Sequence, residues 1–127
     1  MQDRVKYEYA IIRIVPKVER GEFFNVGVLL FSKSKKFLGV QFHIDEKKLA
    51  VFSADLDLDY LNEYLGAWKL ICEGAPSSGV IGEMELTDRF RWLAASRSTI
   101  IQTSQTHTGL CHDPEKELEV IFKKQVM

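Results

Sequence analysis

Three stretches near the start of the chain carry strand-like patterning. Tyr7 to Val15 is rich in β-branched and aromatic residues and stops at Pro16. Glu22 to Phe31 is strongly apolar. Phe37 to Ile44 alternates with period two, with Leu38, Val40, Phe42 and Ile44 on one side and Phe37, Gly39, Gln41 and His43 on the other. The connections, Pro16–Gly21 and Ser32–Lys36, are short and rich in turn formers, which predicts an antiparallel meander. Gly21 is placed to take a positive φ that closes the first turn.

The period then changes. Leu58, Leu61, Leu65, Trp68 and Cys72 recur at three- and four-residue steps behind Asp57 or Asp59 as an N-cap, and Gly74 stands where that helix should stop. Gly74-Ala75-Pro76-Ser77-Ser78-Gly79 reads as the one linker-like stretch. A second helix is predicted from a Thr87 cap through Phe90, Leu93 and Ala94. The Thr/Ile-rich run from Ser98 to Gln105 reads as a fourth strand, and His107-Thr108-Gly109 as a loop. The last helix has the clearest grammar. Asp113 caps it, Pro114 opens it, Glu115 and Glu117 favour its positive end, and Lys123 and Lys124 favour its negative end. Leu118, Ile121, Phe122 and Val126 form its apolar stripe. Glu119 and Lys123 are an i,i+4 pair contributing about 0.3–0.5 kcal/mol. These patterns predict one α+β domain over residues 1–127. Its sheet is an antiparallel three-stranded N-terminal meander plus a fourth strand, with helices packed on one face and a C-terminal helix closing the domain.

Register carries the pattern further. If Val15 pairs with Phe23 across the first hairpin and Phe31 with Phe37 across the second, then Arg13, Asn25 and His43 fall in one row on one face. The opposite face, with Ile12, Ile14, Phe24, Val26, Val28, Leu30, Leu38, Val40 and Phe42, is wholly apolar and is the expected core side. The polar row is a place for chemistry. Arginine offers a rigid fork of donors for phosphate or carboxylate, asparagine offers donor and acceptor, and histidine titrates near neutrality. Gly27 and Gly39 leave space beside the row for a flat ligand or another backbone, and Tyr7, Tyr9, Phe31 and Phe37 frame it. A one-residue bulge in either hairpin would scatter the row.

Composition narrows the classes. With 127 residues, 46% apolar and 11% aromatic, the chain is neither intrinsically disordered nor large enough for two ordinary domains. Two cysteines exclude a disulfide scaffold. The run Val26–Phe31 is far short of the roughly 20 apolar residues of a membrane span, and Met1-Gln2-Asp3-Arg4 is followed by no signal-peptide core. A reducing cytoplasm is the expected setting. The net charge of −1 is unevenly spread, near +4 over residues 1–44 and −6 over residues 45–85, a dipolar arrangement that can steer a charged partner. A duplex-DNA binder would be far more basic.

The remaining chemistry is sparse. Arg20 and Glu22 flank Gly21 at a hairpin tip, where they either meet a partner or stabilise the turn. Arg89, Arg91 and Arg97 lie close in sequence, but converging on one anion would require Arg97 to fold against Arg13. His107 and His112 with Cys111 and Asp113 fit no ordinary zinc spacing, so no metal and no cofactor is expected. No catalytic constellation stands out, and no glycine-rich phosphate loop is present.

Several of these residues have a familiar order. Arg13-Ile14-Val15-Pro16, Glu19-Arg20-Gly21-Glu22-Phe23 and Asn25-Val26-Gly27-Val28 resemble the opening of a bacterial family catalogued only as domain of unknown function number 3037. Arg89-Phe90-Arg91-Trp92, Arg97-Ser98-Thr99-Ile100-Ile101-Gln102 and His107-Thr108-Gly109 followed by Asp113-Pro114 continue the resemblance over nearly the whole chain, most weakly in the acidic middle. The resemblance implies no established activity. It implies a companion or regulatory role, because members are often encoded beside a HipA-like kinase protein.

The leading expectation is a bacterial cytoplasmic interaction or regulatory protein, not a catalyst, that binds a second protein such as a HipA-like kinase. Arg13, Arg20, Glu22, Asn25, His43 and Arg97 are its candidate binding residues. Two alternatives stand beside it: a nucleotide or single-stranded nucleic-acid module on the Arg13, Asn25 and His43 face, and an enzyme using the arginines on a phosphorylated substrate.

Overall fold

A computed structural model describes residues 3–52, 55–97 and 99–127. The fold is α+β. β1 (Val5–Ile14), β2 (Phe24–Ser32) and β3 (Phe37–Phe42) form the predicted antiparallel meander. Gly21 takes φ 70° after a short 3-10 turn at Val18–Arg20, as its position predicts. Lys33–Lys36 closes the second hairpin, with Lys36 at φ 51°.

The fourth strand is shorter than expected, and the loop after it is a strand. β4 (Ile101–Thr103) and β5 (His107–Cys111) both pair with β1, opposite β2, along its Ile12–Ile14 and Val5–Tyr9 stretches. Ser104 bridges the break between them. Its amide donates to the Ile11 carbonyl at 2.8 Å, and its hydroxyl accepts from the Ile11 amide at 2.9 Å, so the ladder loses no partner there. Ser98, at the expected start of the fourth strand, lies outside the described residues.

Among the described residues five α-helices accompany the sheet: α1 (Glu46–Phe52), α2 (Leu58–Glu73), α3 (Gly79–Gly82), α4 (Leu86–Leu93) and α5 (Pro114–Gln125). The strongest sequence grammar holds. Asp57 caps α2 through the Asp59 and Tyr60 amides, Gly74 ends it at φ 66°, and Asp113 caps α5 through the Glu115 and Lys116 amides. α4 begins two residues earlier than expected: Glu85, not Thr87, is at its N-cap, without a side-chain hydrogen bond.

The main correction concerns register. Arg13 faces Asn25 and Ile14 faces Phe24, as expected, but Ile12 then faces Gly27, leaving Val26 as an extra residue in β2. Beyond the bulge every side chain of β2 changes face. Phe24 and Val26 therefore share one core with Leu29 and Phe31, while Val28 and Leu30 turn to the other side. The second hairpin is also offset by one: Ser32, not Phe31, faces Phe37.

As a result the sheet has two buried faces. On the first, Ile12, Ile14, Leu29 and Phe31 pack against Leu61, Leu65 and Trp68 of α2 and Phe90 and Leu93 of α4, with the Phe31 and Phe90 rings stacked at 4.9 Å. On the second, Tyr7, Ile11, Val28 and Leu30 pack against Leu118, Ile121 and Phe122 of α5 and Val126 at its C-cap. α5 thus covers the face that carries Arg13 and Asn25.

Candidate functional site

Arg13 and Asn25 are direct cross-strand partners. His43 is not in line with them. Its amide donates to the Val26 carbonyl at 2.7 Å, because the shifted second hairpin moves it one position along. The end of α5 occupies the same region: Asn25 Nδ2 donates to the Gln125 carbonyl at 3.0 Å. The Arg13 guanidinium lies over the Phe23 ring at 4.1 Å. Arg13 Nε and Asn25 Oδ1 are buried without a partner among the described residues. His43 is exposed beside Asp45 and, after the Lys48 and Lys47 amides and the Lys48 charge, helps hold the Asp45 carboxyl below the ordinary carboxylate range. The row is therefore a pair plus a displaced histidine, not a continuous binding strip.

The glycines offer no ligand space either. A Cβ on Gly27 would lie 2.7 Å from the Gln41 carbonyl, and one on Gly39 would lie 2.6 Å from the Phe37 ring and 3.0 Å from Leu118. Their missing side chains admit the chain's own atoms.

The arginines serve separate structural purposes. Arg20 pairs with Glu22 at 2.9 Å across the exposed hairpin tip. Arg89 donates to the carbonyls of Ile71, Cys72 and Met84, so it caps the C-terminal end of α2. Arg91 makes two bonds to Glu8, at 3.2 and 3.3 Å. Arg97 donates to the carbonyls of Trp92, Leu93 and Ala95 at the end of α4, between the rings of Trp68 and Trp92. Burial lowers its pKa. These guanidiniums do not share a ligand position.

His107 and Cys111 lie on β5 with Gly109 between them. The space above Gly109 holds the Tyr7 ring, whose hydroxyl donates to Glu117 of α5 at 2.9 Å. His107 packs against Tyr9 at 5.2 Å. Burial pushes the Cys72 thiol up to about 12 and raises Cys111 as well. Among the described residues no three His, Cys, Asp or Glu side chains gather to hold a metal ion, and no helix is long and apolar enough to cross a membrane.

The open geometry lies elsewhere, at a feature the sequence reading missed. β3 ends the sheet, and no described strand pairs with its outer edge. It lies between α2 on one face and α5 on the other, forming the floor of a groove of about 370 Å³. Leu38, Val40, Cys72 and Leu118 give this groove an apolar base, with Lys69 and Glu73 on the α2 wall and Glu115 and Glu119 on the α5 wall. The His43 amide bonds inward to Val26, and ladder bonds alternate along an antiparallel strand. Gln41, Gly39 and Phe37 therefore bond inward, whereas Leu38, Val40 and Phe42 turn their amides and carbonyls to the free edge. The lysines at 33, 35 and 36 just before β3 were the available sign, since charge beside a strand is a common guard of sheet edges.

A second depression, of about 650 Å³, is basic. Lys6, Lys33 and Arg91 line it with Glu8 and the hydroxyl residues Ser34 and Thr87.

No curated protein and no solved structure matches the chain. A family description does match, protein of unknown function (DUF3037), over residues 9–126. That span takes in β1 from Tyr9 onward, every later strand and all five helices, so the chain belongs to the DUF3037 family.

Proposed function

We propose that the chain is a protein-interaction module that captures a segment of a partner at the outer edge of β3. The observation carrying this reading is the row of backbone groups at Leu38, Val40 and Phe42 that meet no strand partner among the described residues, along a groove floored by residues 37–41 between two helices. A free strand edge is a template for another strand: main-chain hydrogen bonds supply affinity, and flanking pockets supply selectivity. The family resemblance points to a bacterial cytoplasmic setting and a regulatory role, with a HipA-like kinase protein as the first partner to test. Co-expression of the two chains followed by size-exclusion chromatography at physiological salt is the experiment. Co-elution that is lost in Val40→Pro supports the reading. Elution of the chain alone removes the kinase as partner.

A second reading has its own observation. Lys6 and Lys33 line that depression beside the Arg91–Glu8 pair, and two such cations suit the phosphate of a nucleotide or a single-stranded nucleic acid. Fluorescence anisotropy with a short RNA should show binding that weakens steeply with salt. No binding at low salt ends it.

A further inference from the structure

The sheet has a second free edge, away from β3. β5 pairs with β1, and no described strand lies on its other side. The Ile11 carbonyl accepts from the Ser104 amide and the Val15 amide donates to the Ile100 carbonyl, so the odd-numbered residues of β1 bond toward β4 and β5. His107, Gly109 and Cys111 therefore bond inward to Tyr9, Tyr7 and Val5, whereas Thr108 and Leu110 turn their amides and carbonyls outward. Lysines precede β3, but β5 holds no lysine, arginine, aspartate, glutamate or proline to guard its edge. His107 and Thr108 are exposed, and Leu110 is 56% exposed.

We propose that this edge pairs with the same edge of a second copy of the chain, antiparallel about a two-fold axis at Gly109, so that two sheets become one. The strand is its own complement. Only a register centred on Gly109 pairs both outward residues within the strand, with Thr108 of each copy bonded to Leu110 of the other. Gly109 then faces the second copy's Gly109. His107 faces the second copy's Cys111 in the close pairing, where side chains approach most nearly.

Charge selects this occupant. Burial first, then the Glu117 and Asp113 charges, raise the Cys111 thiol, and Lys35 lowers it, so two acids and one lysine act on the Cys111 end of the strand. The pairing brings the second copy's His107 to that acidic end, and the axis repeats the contact. Within its own chain His107 packs on Tyr9 and has no carboxylate partner among the described residues. Exposed His112 lies just beyond the paired residues. Glu117 is the acid nearest the axis. Its carboxylate accepts from Tyr7, and the incoming imidazolium offsets its repulsion of its own copy. On the opposite face Lys6 stands beside Leu110, and Glu8 beside Thr108. Pairing sets each Lys6 in line with the second copy's Glu8, which keeps its bond to Arg91, so no two lysines meet.

Sedimentation velocity of the full chain is the test. The chain should dimerise, and the dimer should tighten on the order of tenfold from about pH 8 to about pH 6, as His107 takes its proton beside the acids. His107→Gln should remove most of that difference. Leu110→Pro deletes an outward amide that the ladder to β1 does not use, and Leu110→Lys places a cation on the edge. Each should yield a monomer whose far-ultraviolet circular dichroism matches that of the parent. A parent chain that sediments as a monomer at the lower pH, or a dimer that survives Leu110→Lys, would overturn the proposal. A dimer equally tight at both pH values would overturn the register on Gly109. None of these outcomes depends on partner capture at β3, which is read separately by co-elution.

Discussion

Gly109 makes the residue scale concrete. A Cβ there would lie 2.6 Å from the hydroxyl and Cζ of Tyr7, and the Tyr7 ring is buried, bonded to Glu117 and part of the core beneath α5. Gly109→Ala should therefore destabilise the fold by roughly 1–3 kcal/mol, the cost of overpacking, measured by urea denaturation. Tyr7→Phe removes the bond to Glu117 and should cost about 1–2 kcal/mol by the same measurement. Cys72 behaves differently. Burial lifts its thiol from the ordinary 9.0 to about 12, so it is protonated and shielded in the native protein. A thiol reagent should leave it unlabelled at neutral pH until denaturant is added. The candidate arginines teach a related lesson. Arginine is suited to anions in any sequence, yet Arg89 and Arg97 meet helix carbonyls and Arg91 meets Glu8. Sequence spacing cannot show which acceptor an arginine reaches first.

At the scale of elements, local rules and tertiary pairing divide the outcome. The ends of α2 and α5 were legible because capping involves residues only a few positions apart. Asp113→Ala should cost about 1 kcal/mol. Arg89→Leu should cost more, about 2 kcal/mol, because a charged donor to two carbonyls at the end of α2 and to the Met84 carbonyl is lost. Both are read from shifts in denaturation midpoint at unchanged slope. The bulge at Val26 was not legible. A chain of apolar residues looks the same with or without an extra one, and only the neighbouring strand reveals the change of face. β5 was hidden for a similar reason: His107-Thr108-Gly109 has loop composition, but β1 leaves an unpaired edge that it completes.

At the scale of the whole molecule, three buried acids act together. Cys72, Cys111 and Tyr7 all have pKa values raised by burial, with ordinary values of 9.0 for the thiols and 10.0 for the phenol. The unfolded chain releases these protons first. Their contribution to stability is therefore fully present below pH 9.0 and is lost as pH rises above it. Urea denaturation across the alkaline range should show that decline, and Cys72→Ala should make its first part shallower. The sequence by itself determined the α+β class, the meander, the capped helices and the absence of a disulfide framework. These follow from periodicity, capping and composition, which act over a few residues or over the chain as a whole. Tertiary structure alone decided that α5 covers the second sheet face, that Arg13 and Asn25 pair without His43, and that the outer edge of β3 stays open between two helices. Those outcomes depend on which strands become neighbours and on a one-residue offset that local patterning does not encode.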